Sequence, residues 1–234
     1  MTEIATRRFA SRAELGSALE ERLARAITAP GAAALMLSGG TTPLPAYRAL
    51  ARPGVPHAAG LRILFTDDRY VPADSPASNY HQVQPLLAAL ALPPAAVLQV
   101  RTELPLEDAA RDYEAQLAAL LRSGGRIGLG LLGLGADGHT ASLFGTADLE
   151  RARGRLAIAV PQRPDGMSAV SVSPELLAQV AEPVFAVAGA DKRDAARRLL
   201  AGDPTLTAWR AVGGCARVEL WVDQAAAPQD AKAR

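Results

Sequence analysis

Again and again along this chain a short, uninterrupted apolar run gives way to a stretch whose apolar residues fall at helical spacing. The runs are "AAALML" (32–37), "LRILFT" (61–66), "AVLQV" (96–100), "IGLGLLGLG" (127–135), "LAIAV" (156–160), "AVSVS" (169–173), "PVFAVAG" (183–189) and "RVELWVD" (217–223). A strand wetted on one face alternates apolar and polar residues. Continuous runs instead mean strands covered on both faces, which is what crossover helices provide. The intervening stretches supply those helices. The first starts at Ser11, where Ser-x-x-Glu14 forms a capping box ahead of apolar residues spaced helically to Ile27. Others are expected over 43–51, around 80–90, over 106–122, briefly after Pro174, and over 191–200.

The alternation predicts an α/β fold: a single-domain, doubly wound, mostly parallel sheet with helices on both faces, Rossmann-like in layout. With 234 residues, 49% of them hydrophobic, the chain has enough apolar surface for one substantial core spanning 1–234. Its last ten residues, "AAAPQDAKAR" (225–234), have little to bury and read as a frayed tail.

Ligands of such sheets bind beyond the carboxyl ends of the strands. Three polar clusters follow apolar runs there: "SGGTTP" (38–43), "DDRYVP" (67–72), read as a loop, and "GADGHTAS" (135–142). In the first, Ser38, Gly39, Gly40 and Thr41 sit between a buried strand and a proline-led helix. Glycines admit a ligand close to the backbone, and free N–H groups at a helix start favour an anion, so phosphate is the natural occupant. The plainer reading is a tight turn with Thr41 or Thr42 as the helix cap.

"LLGLGADGHTASLF" (131–144) contains Gly133, Gly135 and Gly138 in the G-x-G-x-x-G spacing of a dinucleotide loop. A true one opens a full helix and has an acidic residue at the end of the next strand; here Gly145 interrupts early, and "LAIAV" ends in Pro161, Gln162 and Arg163. What the stretch does contain is Asp137 two residues before His139. A histidine can take a proton from water, and a carboxylate can fix its tautomer and stabilise the imidazolium, so the pair reads as a general base and its orienter. Ser142 is close, but the strained elbow of a nucleophilic serine is missing. His57 and His81 stand at no metal-ligand spacing from His139, so no metal site is predicted and neither has a role.

The formal net charge of +1 points to no nucleic-acid or membrane partner, only to a small anionic ligand. A single cysteine, Cys215, fits a reducing compartment, and the N-terminal sequence lacks the apolar segment of a secretory signal, so the expectation is a cytoplasmic protein, a monomer or at most a weak homo-oligomer. Of 25 basic residues only Lys192 and Lys232 are lysines. A lysine in the folded part of so arginine-rich a chain invites a reason.

"LSGGTTPLPAY", "FTDDRYVPADSPASNY", "LLGLGADGHTASLFG", "VAGADKRDA" and "VELWVDQAA" occur in the order, and at about the spacing, of the 6-phosphogluconolactonases, within the wider glucosamine-6-phosphate deaminase/isomerase superfamily, which this chain resembles over roughly residues 30–227. The resemblance implies hydrolysis of 6-phospho-D-glucono-1,5-lactone, a phosphorylated sugar lactone, to 6-phosphogluconate in the oxidative pentose phosphate pathway, with no cofactor. It places the phosphate on Ser38, Gly39, Gly40 and Thr41, with Arg69 and Lys192 as cations. His139, oriented by Asp137, activates water, and backbone N–H groups around Gly135 and Gly138 stabilise the oxyanion. Asn79 and Tyr80 match the family's "SNY" stretch, as sugar contacts or as the start of a helix; which of Asp67 and Asp68 faces the site stays open. One departure stands out: Ala169 occupies the place of an arginine in the family's D-G-x-x-R stretch, and Arg163, six residues earlier, is the candidate replacement. A sugar-phosphate isomerase or deaminase is the alternative activity, disfavoured because "DGHTASLFGT" lacks the glutamate those enzymes carry after the histidine. A non-catalytic sugar-phosphate binding module is the other.

Overall fold

The computed structural model describes residues 2–31 and 33–228. Six strands form one sheet: β1 (Glu3–Phe9), β2 (Ala33–Leu37), β3 (Arg62–Phe65), β5 (Arg126–Leu132), β8 (Val180–Val187) and β9 (Arg217–Asp223), in the spatial order β1-β9-β8-β5-β2-β3. Every neighbouring pair in it is parallel. Alternate residues of single strands enter different cores: Ala34 and Met36 of β2 pack in one cluster, Leu35 and Leu37 in the other, and Leu220 and Trp221 of β9 divide likewise. Both faces are therefore buried, as the continuous apolar runs require.

Helices α1 (Arg12–Thr28), α2 (Leu44–Leu50) and α3 (Asn79–Leu90) cover one face, through Leu15, Leu19, Leu23, Tyr47, Val83 and Leu86. Packed in the other core cluster are α4 (Leu106–Arg122), through Tyr113 and Leu117, α5 (Thr146–Arg151), through Leu149, α6 (Pro174–Leu177), through Leu176 and Leu177, and α7 (Arg193–Leu200), through Ala195 and Leu199. The start of α1 carries half of the expected capping box: the Ser11 hydroxyl accepts from Glu14 N–H at 3.1 Å, but the Glu14 carboxylate accepts from Ala10 N–H, one residue before the cap, at 2.6 Å instead of from Ser11 N–H.

"LAIAV" and "AVSVS" do not join the parallel sheet. As β6 (Ala157–Val160) and β7 (Ala169–Val172) they pair antiparallel, and β7 pairs antiparallel with β4 (Asp67–Arg69), giving a separate three-stranded sheet. A parallel neighbour needs a crossover of about a dozen residues or more, and the short loop between β6 and β7 permits only a hairpin. "DDR", read as loop, is thus a strand.

The strand expected over 96–100 does not form. Residues Pro94–Ala96 make a 3₁₀ turn, and Val97 bridges Ile63 at one position. Beyond it the Tyr113 hydroxyl accepts from Phe65 N–H at 2.9 Å and donates to the Phe65 carbonyl at 2.6 Å, satisfying the edge groups a further strand would need. The N-terminal "EIATRRF", too polar to stand among the apolar runs, is edge strand β1, with the Arg7 guanidinium 4.4 Å from the Trp221 ring centre. Of the expected frayed tail, residues 225–228 are held: Asp223 accepts from Ala226 and Ala227 N–H groups at 2.8 and 2.9 Å, and Ala226 is buried. The rest of that tail lies outside the described residues.

Candidate active site

At the carboxyl ends of β2, β5 and β8, against the small antiparallel sheet, lies a cleft of about 280 Å³. Ser38, Gly39, Gly40, Thr41, Arg69, Gly135, His139, Arg163 and Lys192 all line it, so strand ends far apart in sequence bring nearly every residue singled out above to one place. Asp137 and Gly138 are not among the lining residues.

The loop after β2 is fixed from several sides. The Tyr47 hydroxyl donates to the Ser38 carbonyl at 2.9 Å, Arg12 donates to the Thr41 carbonyl at 2.8 Å, and Gly40 N–H donates to the Gln82 side chain at 3.2 Å. The N–H groups of Gly39, Thr41 and Thr42 have no partner among the described residues. At Gly39 a Cβ would fall 1.9 Å from Asn79 Oδ1, so only glycine lets the loop lie against that amide.

In β4 successive side chains point to opposite faces, and this separates the two aspartates. Asp67 faces the cleft, accepting from Ser142 Oγ at 2.6 Å and Thr66 Oγ1 at 2.9 Å. Asp68 faces α3 and accepts from Asn79 N–H (2.6 Å), Ser78 Oγ (3.0 Å) and Tyr80 N–H (3.1 Å). It is therefore a helix anchor. Burial pushes the Asp68 carboxyl up to about 6 against the opposing pull of those three donors. The native state then holds a proton between about pH 4 and pH 6 that the unfolded chain releases, so this group's contribution falls as pH rises through that window and is flat above it. We expect Asp68→Asn to flatten the pH dependence of stability by roughly 3 kcal/mol or less. Urea midpoints of both proteins at pH 4 to 7 check this; parallel curves overturn it.

Buried Asn79 begins α3 and ties the site together. Its amide nitrogen donates to the Asp67 carbonyl at 2.8 Å, and its oxygen accepts from Arg69. The sequence motif marked Asn79 without revealing that it holds both the arginine and the glycine loop.

After β5 the chain turns tightly. Gly135 N–H donates to the His139 carbonyl at 2.9 Å and Gly138 N–H to the Gly135 carbonyl at 3.0 Å; Gly138 has φ +87°. Both N–H groups are spent inside the loop, which corrects the expectation that they serve an oxyanion: these glycines shape the turn. Asp137 Oδ1 lies 2.6 Å from His139 Nδ1 and accepts from His139 N–H at 3.2 Å. Partial burial pushes the Asp137 carboxyl up, but the hydrogen bonds from His139 outweigh it and hold the group below the usual carboxylate value. With Nδ1 engaged by the carboxylate, Nε2 is the nitrogen left for a ligand. The imidazole packs on Phe144, ring centres 4.3 Å apart.

Lys192 ends a 3₁₀ turn ahead of α7, 3.5 Å from the exposed Asp191 carboxylate. Arg163, only 7% exposed, reaches the cleft from the β6–β7 loop. Among the described residues no cluster of three or more His, Cys, Asp or Glu side chains could hold a metal ion, and no helix is long and apolar enough to cross a membrane.

A parallel α/β sheet with this cleft defines a known class, and the chain belongs to it: the family of glucosamine-6-phosphate isomerases/6-phosphogluconolactonase, whose model matches residues 8–219. Its relatives within that family include 6-phosphogluconolactonases. One from Synechocystis is 36% identical over 187 residues, 77% of this chain and 76% of that protein. One from Thermotoga maritima is 38% identical over 117 residues, so the match spans half the length of either protein. A crystal structure of a Thermotoga maritima 6-phosphogluconolactonase superposes with a TM-score of 0.76 at 28% identity, over 96% of this chain and 100% of that one.

Proposed function

We propose that this protein hydrolyses 6-phospho-D-glucono-1,5-lactone to 6-phosphogluconate in the oxidative pentose phosphate pathway, acting in the cytoplasm as a monomer without a cofactor. The observation that carries the reading is the Asp137–His139 pair, 2.6 Å apart, at the wall of a cleft whose other side is an anion-accepting loop. Membership of the family and the names of its relatives support it.

The phosphate lies on the Ser38–Thr41 loop, with Lys192 as its cation, while Arg69 is engaged by the Asn79 side chain. His139 Nε2 takes a proton from a water molecule as the water oxygen bonds to the lactone carbonyl carbon. Asp137 stabilises the imidazolium that forms. When the tetrahedral adduct collapses, the bond from that carbon to the ring oxygen breaks, and the imidazolium returns its proton to the departing oxygen. The new carboxylic acid then ionises and releases one proton to solvent. General-base help of this kind is worth about 10² to 10⁴ in rate, sufficient for a labile ester.

The test is acid release from lactone freshly made by glucose-6-phosphate dehydrogenase, measured against spontaneous hydrolysis. We expect a rate proportional to protein concentration. Release no faster than the spontaneous rate overturns the proposal, and ammonia released from glucosamine 6-phosphate in its place would move the assignment to the deaminases.

A further inference from the structure

Arg163 is held in an unusual way for a residue at an anion site. Nε and Nη2 donate to Asp165 at 3.0–3.2 Å, Nη1 donates to Ser142 Oγ at 2.5 Å, and Nη1 stands 3.6 Å from Asp67 Oδ2. Ser142 Oγ in turn donates to Asp67 Oδ2 at 2.6 Å, so Arg163, Ser142 and Asp67 form one buried chain of hydrogen bonds. The guanidinium lies over the Phe144 ring at 5.2 Å, and that same ring packs on His139.

The charges on this wall cancel. Arg69 and Arg163 are its cations, and Asp67 and Asp165 its carboxylates; the nearby Arg69 also helps hold the Asp165 carboxyl below its usual value, after the larger hydrogen bond from Arg163. In the β4–β7 ladder Ala169 is the register partner of Arg69, so no third cation stands there. A dianionic phosphate gains little from a wall with no net charge and a buried carboxylate. A hydroxyl group, which both donates and accepts, fits a guanidinium with unused N–H groups beside a carboxylate.

We propose that Arg163 and Asp67 form a donor–acceptor pair that reads the sugar hydroxyl on the carbon next to the reacting ester, and that the phosphate is held elsewhere, by the Ser38–Thr41 loop and Lys192. The inference rests on the lactonase reading. Phe144 sets the location: with His139 and Arg163 both against one ring, the hydroxyl-reading pair lies beside the base, where the ester must be.

The experiment separates the two ends of the substrate. Arg163→Lys keeps the charge beside Asp67 and loses the planar fork; a fork donating to a hydroxyl is a charge-assisted bond whose loss costs about ten- to hundredfold. We expect kcat/KM for the lactone to fall by that factor, while the inhibition constant of inorganic phosphate stays within twofold of the parent value. In Lys192→Ala that inhibition constant should rise about tenfold or more. An unchanged kcat/KM in Arg163→Lys, or a phosphate constant that rises with the KM, overturns the assignment. If the variant does not fold, the parent decides: the 2-deoxy lactone should be hydrolysed at least about tenfold less efficiently than the natural one, and equal efficiency overturns the proposal. A parent protein without lactonase activity would instead be a failure of the functional reading itself.

Discussion

His139→Ala is expected to lower kcat for lactone hydrolysis by about 10²- to 10⁴-fold, down to the spontaneous rate, with the fold and phosphate binding preserved. The size follows from the role proposed for the ring: among the described residues it is the only histidine lining the cleft, its Nδ1 is committed to Asp137, and Nε2 is left to receive the proton from water. Preservation of the fold follows from exposure. The His139 side chain is 28% exposed and makes its ring contact with Phe144 alone, so truncation opens the cleft instead of leaving a void in the core. Activity above the spontaneous rate in the alanine variant, with a parent-like melting curve, would remove His139 as the base.

Gly135→Ala should be nearly as damaging to activity, although it deletes no functional group. A Cβ at this position would sit 2.1 Å from His139 Nδ1 and 2.3 Å from Asp137 Oδ1, inside the contact that orients the base. Both neighbours are side-chain ends that can move, but moving them separates the two atoms on whose contact the chemistry depends. The Gly135 N–H to His139 carbonyl bond ties the two backbones together, so the side chains must separate. Overpacking of this kind costs about 1 to 3 kcal/mol of stability. We expect a kcat loss of about 10²-fold or more, with a KM change under about threefold, since the phosphate loop is untouched. An active Gly135→Ala variant would mean that the 2.6 Å contact is dispensable; a KM effect alone would place the damage in binding.

Much of this site was legible because it is local in the chain. Asp137 and His139 are two residues apart, and the glycine loop follows its strand directly, so backbone proximity already implies the chemistry. The parallel sheet was equally open to reading, since strands buried on both faces must be continuously apolar. Where reading failed, the deciding partner was distant. "AVLQV" looks like a strand by composition, but its place at the edge of β3 is closed by Tyr113 from α4. "AVSVS" has the run of a parallel strand, yet hairpin geometry sends it to a second sheet. Gly135 and Gly138 offered N–H groups in any sequence-level account, and only the folded turn shows them already used.

Apolar periodicity and the short polar clusters at strand ends determined the layer architecture, the end of the sheet that holds the cleft, and the pairing of Asp137 with His139, because each depends on neighbours within a few residues. Tertiary structure alone decided which aspartate faces the cleft and which anchors α3, that Asn79 joins Arg69 to the glycine loop, and that Arg163 is held between Asp67 and Asp165 beside the ring that supports His139. Those are contacts between strands and loops up to about a hundred residues apart, and their energies come from burial and charge pairing that exist only once the sheets have been assembled.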